Sequence, residues 1–237
     1  MSLPGLQIKI FSDGADVGDM LRVYKEGVVS GFTTNPTLMK KAGVADYQAF
    51  AREALRHITD CPISFEVFSD DFAAMEREAR IIHSWGPNVN IKIPVTNTRG
   101  ESSAKLIRKL SSEQMKLNVT AILSIEQVKQ VVDALAPGAP AIVSVFAGRI
   151  ADTGRDPVPV IQQAVKLVKN RPLTELLWAS TREVLNIFQA DACGCDIITV
   201  TPDLLKKLSM RGMDLQDLSL ETVKMFYADA QAAGFRL

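Results

Sequence analysis

Short apolar runs alternate along the chain with stretches whose apolar residues recur at helical spacing. The sharpest run is Asn88-Val89-Asn90-Ile91-Lys92-Ile93-Pro94-Val95-Thr96. It puts Val89, Ile91, Ile93 and Val95 on one face of a strand and Asn90, Lys92 and Pro94 on the other. A lysine inside such a strand is costly unless its ammonium is paired, reaches water or is driven neutral. The plain explanation is an edge-strand lysine reaching solvent. Against it stands the recurrence of the same polarity rule in the other strands.

Strands are predicted at residues 7–12, 31–34, 63–68, 89–95, 117–122, 141–146, 176–180 and 196–200. Helices fill the intervals: about 16–26, one opened by Asn35-Pro36, 47–58, 72–84, 101–115, 128–135, 160–168, 182–189 and 202–210. A last helix covers about 220–233. Strand and helix alternate eight times with short connections, which requires parallel strands joined by crossover helices. The expected fold class is therefore α/β, a single-domain (β/α)8 TIM barrel spanning residues 1–237. A doubly wound open sheet is the alternative, but no Gly-x-Gly-x-x-Gly turn follows any strand.

In a barrel one parity of each strand packs against the helices and the other faces the axis. The helix-facing set is expected to be Ile8, Ile10, Ile63, Phe65, Val67, Val89, Ile91, Ile93, Val95, Leu117, Val119, Ala121, Val143, Val145, Leu177 and Ala179, all apolar. The axis-facing set then holds Asp13, Glu66, Asn90, Lys92, Asn118, Thr120, Ser144 and Ser180. Taken singly these are unremarkable: Asp13 can start a turn, Asn35 and Ser180 can cap helices, Glu66 can neutralise Lys92. Together, six strands send polar groups toward the C-terminal mouth, where barrel active sites are built.

Composition narrows the chemistry. Lys plus Arg and Asp plus Glu are balanced at 27 each, so no global field favours nucleic acid or an anionic membrane. No apolar run approaches the ~18 residues of a membrane span, and the start lacks the pattern of a signal peptide. Three cysteines, Cys61, Cys193 and Cys195, lack paired metal-ligand spacing and read as reduced thiols of a cytoplasmic protein. His57 and His83, the two histidines, both sit in helical patterns, which argues against a histidine metal site or a Ser-His-Asp triad. No metal and no cofactor is expected.

A lysine among carboxylate, hydroxyl and amide groups suggests imine chemistry. The amine must be neutral to attack a carbonyl, and desolvation in a barrel interior favours that form. The imine then serves as an electron sink for cleavage of a nearby C–C bond, with two carboxylates dividing the proton transfers.

Four segments carry a family resemblance: Gly31-Phe32-Thr33-Thr34-Asn35-Pro36-Thr37-Leu38, Asn90-Ile91-Lys92-Ile93-Pro94-Val95-Thr96, Asn118-Val119-Thr120 and Ser144-Val145-Phe146-Ala147-Gly148-Arg149. The chain resembles the transaldolase family, specifically the short subfamily that includes fructose-6-phosphate aldolases. The resemblance implies that Lys92 forms a Schiff base with a ketose donor and that Asp13 takes the donor hydroxyl proton. It implies that Glu66 and Thr120 work through a water on the carbinolamine. Asn35 and Ser144 would hold donor hydroxyls, Asn118 would orient the lysine, and Arg149, Ser180 and Arg182 would bind the sugar phosphate, Ser180 at the start of a helix. Where the aldolases resemble each other in a Gln and a Tyr, this chain has Glu66 and Phe146, the transaldolase pattern. Gly14 stands where the family pattern has Thr, which puts the packing of the Asp13 turn in question. The Asn118-Val119-Thr120 sequon is a chance match in a buried strand.

The implied activity is transfer of a dihydroxyacetone unit between sugar phosphates, as in the pentose phosphate pathway. Free aldol cleavage and a non-catalytic ring-forming scaffold are the alternatives. The last helix is a candidate for docking on a neighbouring subunit, since the resemblance implies a homo-oligomer, a pentamer or decamer.

Overall fold

The computed structural model describes residues 5–236. Eight strands close into a barrel in chain order, every neighbouring pair parallel: β1 (Lys9–Asp13), β2 (Gly31–Thr33), β3 (Ile63–Glu66), β4 (Val89–Pro94), β5 (Leu117–Ile122), β6 (Ala141–Val145), β7 (Thr174–Trp178) and β8 (Ile197–Val200). The connecting helices are α1 (Val17–Lys25), α2 (Pro36–Lys41), α3 (Tyr47–His57), α4 (Phe72–His83), α5 (Ala104–Ser112), α6 (Ile125–Ala134), α7 (Ala147–Ala151), α8 (Val158–Val168), α9 (Leu185–Cys193), α10 (Pro202–Lys206) and α11 (Leu215–Ala233). This is the expected single-domain (β/α)8 TIM barrel.

Local chemistry starts the helices where the chain must turn back. Asp16, Asp46, Asp71 and Asn35 each cap a helix by accepting a backbone N–H of its first turn. Ser124 and Gln127 form a reciprocal capping box at α6. The main apolar core lies between the strands and the helices and includes Ile10, Phe32, Phe65, Ile91, Ile93, Val119, Val143 and Val145. A second, small cluster fills the barrel itself: Phe11, Ile142, Leu177, Ala179 and Ile197, with Phe146 packed on it. Gly31 is required beside it, because a Cβ there would lie 2.6 Å from the Phe11 ring.

Two expectations about strand faces are corrected. Leu177 and Ala179 face the barrel axis, while Leu176 and Trp178 pack against the helices. The register explains this, since Leu177 pairs with Ser144 on one side and Ile197 on the other, both axis-facing. Ala121 also leaves the helix-facing set. It has a φ of 61°, and the pairing to β6 shifts between Val119 and Ile122, so Ile122 takes the buried place and Ala121 lines the mouth.

Other differences are local. α7 falls where an irregular loop is expected, and α9 starts at Leu185, so Ser180 does not open a helix. Ser180 instead adopts a φ of 64° beyond the end of β7. A Cβ on Gly148 would meet the Ser180 carbonyl oxygen at 1.6 Å, so only glycine lets α7 approach this loop. Gly14 raises no packing problem: its N–H donates to the Thr33 carbonyl at 3.1 Å, and an added Cβ would meet only Pro202 at 3.9 Å.

Candidate active site

A cavity of about 480 Å³ opens at the C-terminal ends of the strands. Asp13, Asn35, Glu66, Lys92, Asn118, Thr120, Ser144, Phe146, Arg149, Ser180 and Arg182 all line it, so every site residue expected from the sequence is brought to one mouth. Asn90, the other polar group on the Lys92 face, is not among its lining residues.

Lys92 is 5% exposed, which rules out a lysine that reaches solvent at an edge. Its ammonium donates to the Thr34 carbonyl at 2.7 Å and lies 3.0 Å from a Glu66 carboxylate oxygen. β3 and β4 impose this meeting, because Glu66 and Lys92 are paired in register. Asn118, expected to orient the lysine, makes no direct hydrogen bond to it among the described residues. Its amide donates to the Ser64 hydroxyl at 3.1 Å and its carbonyl accepts from Ser144 at 2.6 Å. These bonds tie β3, β5 and β6 together beneath the lysine.

Asp13 stands at the end of β1, with its carboxylate accepting from the Thr33 hydroxyl at 2.7 Å. Burial raises its pKa above the ordinary value of 3.8. The Lys92 charge and the Thr33 bond pull the other way, and the nearby Glu66 adds to the rise. Thr33 is in turn hydrogen-bonded to Thr199 of β8, and the Thr199 carbonyl accepts from Thr181 at 2.7 Å. Thr33, Thr199 and Thr181 thus support the carboxylate. Thr33 falls in a motif quoted above, whereas threonines such as Thr199 are commonplace in strands and carry no signal alone.

The Thr120 hydroxyl is buried without a hydrogen-bond partner among the described residues. An unpartnered polar group on the wall of a polar cavity is suited to a water or a substrate oxygen. The Asn35 side chain caps α2 through its oxygen, 2.9 Å from the Leu38 nitrogen. Its plain explanation therefore holds, while Asn35 also lines the cavity and the cap leaves its amide donors unused.

On the far side of the mouth the Arg149 guanidinium lies 5.8 Å from the Phe146 ring centroid. Arg182 is already engaged: its Nε donates to Asp152 at 3.0 Å and a second guanidinium nitrogen pairs with the same carboxylate. Ser180 shares the loop after β7 with Arg182, and its carbonyl abuts Gly148 of α7, the helix that carries Arg149.

Tyr47 was not singled out in the sequence, where it reads as one apolar position of a helix face. Its hydroxyl accepts the Glu66 N–H at 2.8 Å and donates to the Glu66 carbonyl at 3.1 Å. Burial pushes that phenol above its usual range.

A closed parallel barrel with a buried lysine and two carboxylates at its C-terminal mouth is the build of a barrel enzyme. The family model described as Transaldolase/Fructose-6-phosphate aldolase matches residues 10–237, and the chain belongs to that family. It is similar to a probable transaldolase of Dehalococcoides mccartyi, 37% identical over 202 residues that cover 85% of this chain and 90% of that protein. A probable transaldolase of Thermoanaerobacter sp. (strain X514) is 36% identical over 231 residues, covering 97% of this chain and all of its own length. Among solved structures, a putative phosphonomutase from Burkholderia cenocepacia superposes with a TM-score of 0.56 at 13% identity, covering 95% of this chain and 94% of its own, a likeness of fold alone.

Proposed function

We propose that the chain is a transaldolase that moves a dihydroxyacetone unit from a ketose phosphate to an aldose phosphate through an imine on Lys92. The observation that carries this reading is the burial of Lys92 at the floor of the cavity, with Glu66 against it and Asp13 coupled to it.

The Lys92 amine attacks the ketose C2 carbonyl, and the carbinolamine loses its hydroxyl as water. Glu66 supplies the proton for that departure through a water held by Thr120, whose free hydroxyl supports the role. Asp13 then takes the proton of the C4 hydroxyl. The C3–C4 bond breaks, the aldehyde leaves, and the bonding electrons enter the imine to give an enamine. An acceptor aldehyde adds to the enamine, and reversal of the early steps with water frees the product ketose and Lys92. Asn35 and Ser144 hold donor hydroxyls, and Arg149, Ser180 and Arg182 receive the phosphate.

Transfer rather than free aldol cleavage is favoured by Glu66 and Phe146. No tyrosine is among the described residues that line the cavity, so no phenol is offered there to protonate the enamine. We place the protein in the cytoplasm, which its free cysteines suit, as a homo-oligomer of five or ten copies in carbohydrate metabolism. Among the described residues no helix is long and apolar enough to cross a membrane.

The test is a steady-state assay on a panel of ketose phosphates and aldose acceptors, with free glyceraldehyde 3-phosphate measured separately. With acceptor present, glyceraldehyde 3-phosphate should be released one for one with product ketose, and without acceptor its release should fall to a small fraction of that rate. Equal release with and without acceptor would instead assign the aldolase reaction, and no turnover with any pair would favour the scaffold.

A further inference from the structure

The ladder between β2 and β3 breaks at the point where the site begins. Its steps run from the Phe32 N–H to the Pro62 carbonyl at 2.8 Å and from the Thr34 N–H to the Ser64 carbonyl at 3.1 Å. In a parallel ladder the next step would join the Glu66 N–H to the Thr34 carbonyl. That bond is replaced. The Glu66 N–H goes to the Tyr47 hydroxyl at 2.8 Å, and the Thr34 carbonyl accepts the Lys92 ammonium at 2.7 Å.

We propose that Tyr47 is a positioning residue: its hydroxyl takes the ladder place of the Thr34 carbonyl and so releases that carbonyl to aim Lys92. One phenol thereby serves both partners of the lysine. It holds the backbone of Glu66 at its N–H and its carbonyl, and it leaves Thr34 free to fix the position of Nζ.

The phenol is itself held firmly. Tyr47 is the first residue of α3, directly after the Asp46 cap, so its backbone is set at the helix start. Its ring packs on Phe68 with centroids 4.4 Å apart and edge-on to Trp85 at 5.4 Å. A phenol locked in this way can replace a backbone acceptor without the chain of β2 continuing, and after Thr34 that chain turns into α2.

Without the hydroxyl, the Glu66 N–H would be a part-buried donor that has lost its acceptor, and the next acceptor in the ladder is the Thr34 carbonyl. Competition for that oxygen would loosen Nζ and spoil its alignment for attack. This rests on the imine reading of Lys92, and the experiment separates the two.

Rapid mixing with fructose 6-phosphate and borohydride, followed by mass spectrometry, gives the rate constant and the final amplitude of adduct on Lys92. Tyr47→Phe should lower the rate constant about 10-fold with unchanged amplitude and a KM for the donor within about two-fold of wild type. Phe50→Leu, which disturbs the same aromatic cluster without touching a hydroxyl, should lower stability and leave the rate constant alone. Replacing the chain's tyrosines by 3,5-difluorotyrosine keeps the ring and weakens the phenol as an acceptor. It should slow trapping in the same sense even if Tyr47→Phe does not fold. Reduced amplitude at an unchanged rate constant, or no slowing in the fluorinated protein, would overturn the positioning role. A wild-type protein that forms no Lys92 adduct would overturn the imine reading itself.

Discussion

Asp13 carries an electrostatic cost that the fold tolerates for the sake of the site. Its pKa is raised by burial, so the folded state favours the neutral acid. Its contribution to stability is therefore complete below the unfolded value near 3.8 and is lost as pH rises through the higher folded value. At neutral pH the ionised carboxylate destabilises the barrel. Asp13→Asn should abolish turnover yet raise the melting temperature at pH 7, by about 2–4 °C for each ~1 kcal/mol recovered in a chain of this size. The gain should shrink as pH falls and vanish below about 3.8. Calorimetry across pH checks this, and a destabilised variant at pH 7 would contradict it.

The two arginines should not contribute equally. Among the described residues Arg149 is held only over the Phe146 ring, whereas Arg182 must leave Asp152 to meet a phosphate. Losing one charge-assisted bond of ~1.5–3 kcal/mol costs roughly 10- to 150-fold in kcat/KM. Arg149→Ala should fall toward the upper end with erythrose 4-phosphate and change little with erythrose, and Arg182→Ala should fall toward the lower end. Asp152→Asn, which frees the Arg182 fork from an exposed pair, should improve KM for phosphorylated substrates by up to about five-fold. Parallel kinetics on the two acceptors decide the matter. Equal losses on both would make the arginines structural.

At the scale of elements, alternation made the site legible wherever a strand had one polar face. β4 and β5 show this: Lys92, Asn118 and Thr120 stand out against Ile91, Ile93 and Val119, and all three line the mouth as expected. Strand seven was not legible, because Leu176, Leu177, Trp178 and Ala179 are apolar on both faces and only the register to Ser144 and Ile197 settles which is which. The bulge at Ala121 has no marker in its side chain. α7 is too short for a period to emerge. Tyr47 was hidden for a different reason, since an aromatic on a helix face reads as core until its hydroxyl is placed against Glu66.

The junction of α7 with the loop after β7 is the tightest of these element contacts. Gly148→Ala would push a methyl into the Ser180 carbonyl, so the loop that carries Ser180 and Arg182 must move. Such overpacking should cost about 3 kcal/mol or more and raise KM for phosphorylated donors. Gly14→Thr should cost little, since its Cβ meets only the Pro202 ring. Urea denaturation of the two variants compares them directly. A Gly148→Ala protein as stable as Gly14→Thr would contradict the close approach.

At the scale of the whole molecule, α11 is left uncovered among the described residues. None of its residues is buried, and Leu220, Val223, Phe226 and Tyr227 form an exposed stripe at helical spacing. An apolar stripe of this kind needs cover, and the proposed oligomer would provide it from a second copy. Its start at Leu215, ahead of the expected position near 220, follows from the Asp214 cap, whose carboxylate accepts from Gln216 and Asp217. Val223→Asp with Phe226→Asp should convert the assembly to monomers by sedimentation velocity while the barrel remains folded. An unchanged sedimentation coefficient would show that the stripe is not the subunit interface.

Everything proposed for the chemistry depends on a covalent bond at one residue. Wild-type protein and Lys92→Met, each reduced with borohydride in the presence of fructose 6-phosphate and digested for mass spectrometry, test it most directly. The expected result is one adduct in the wild type, on the peptide containing Lys92, and none in Lys92→Met, which should still bind the sugar phosphate. An adduct on Lys9 or another surface lysine, or full turnover in Lys92→Met, would contradict it.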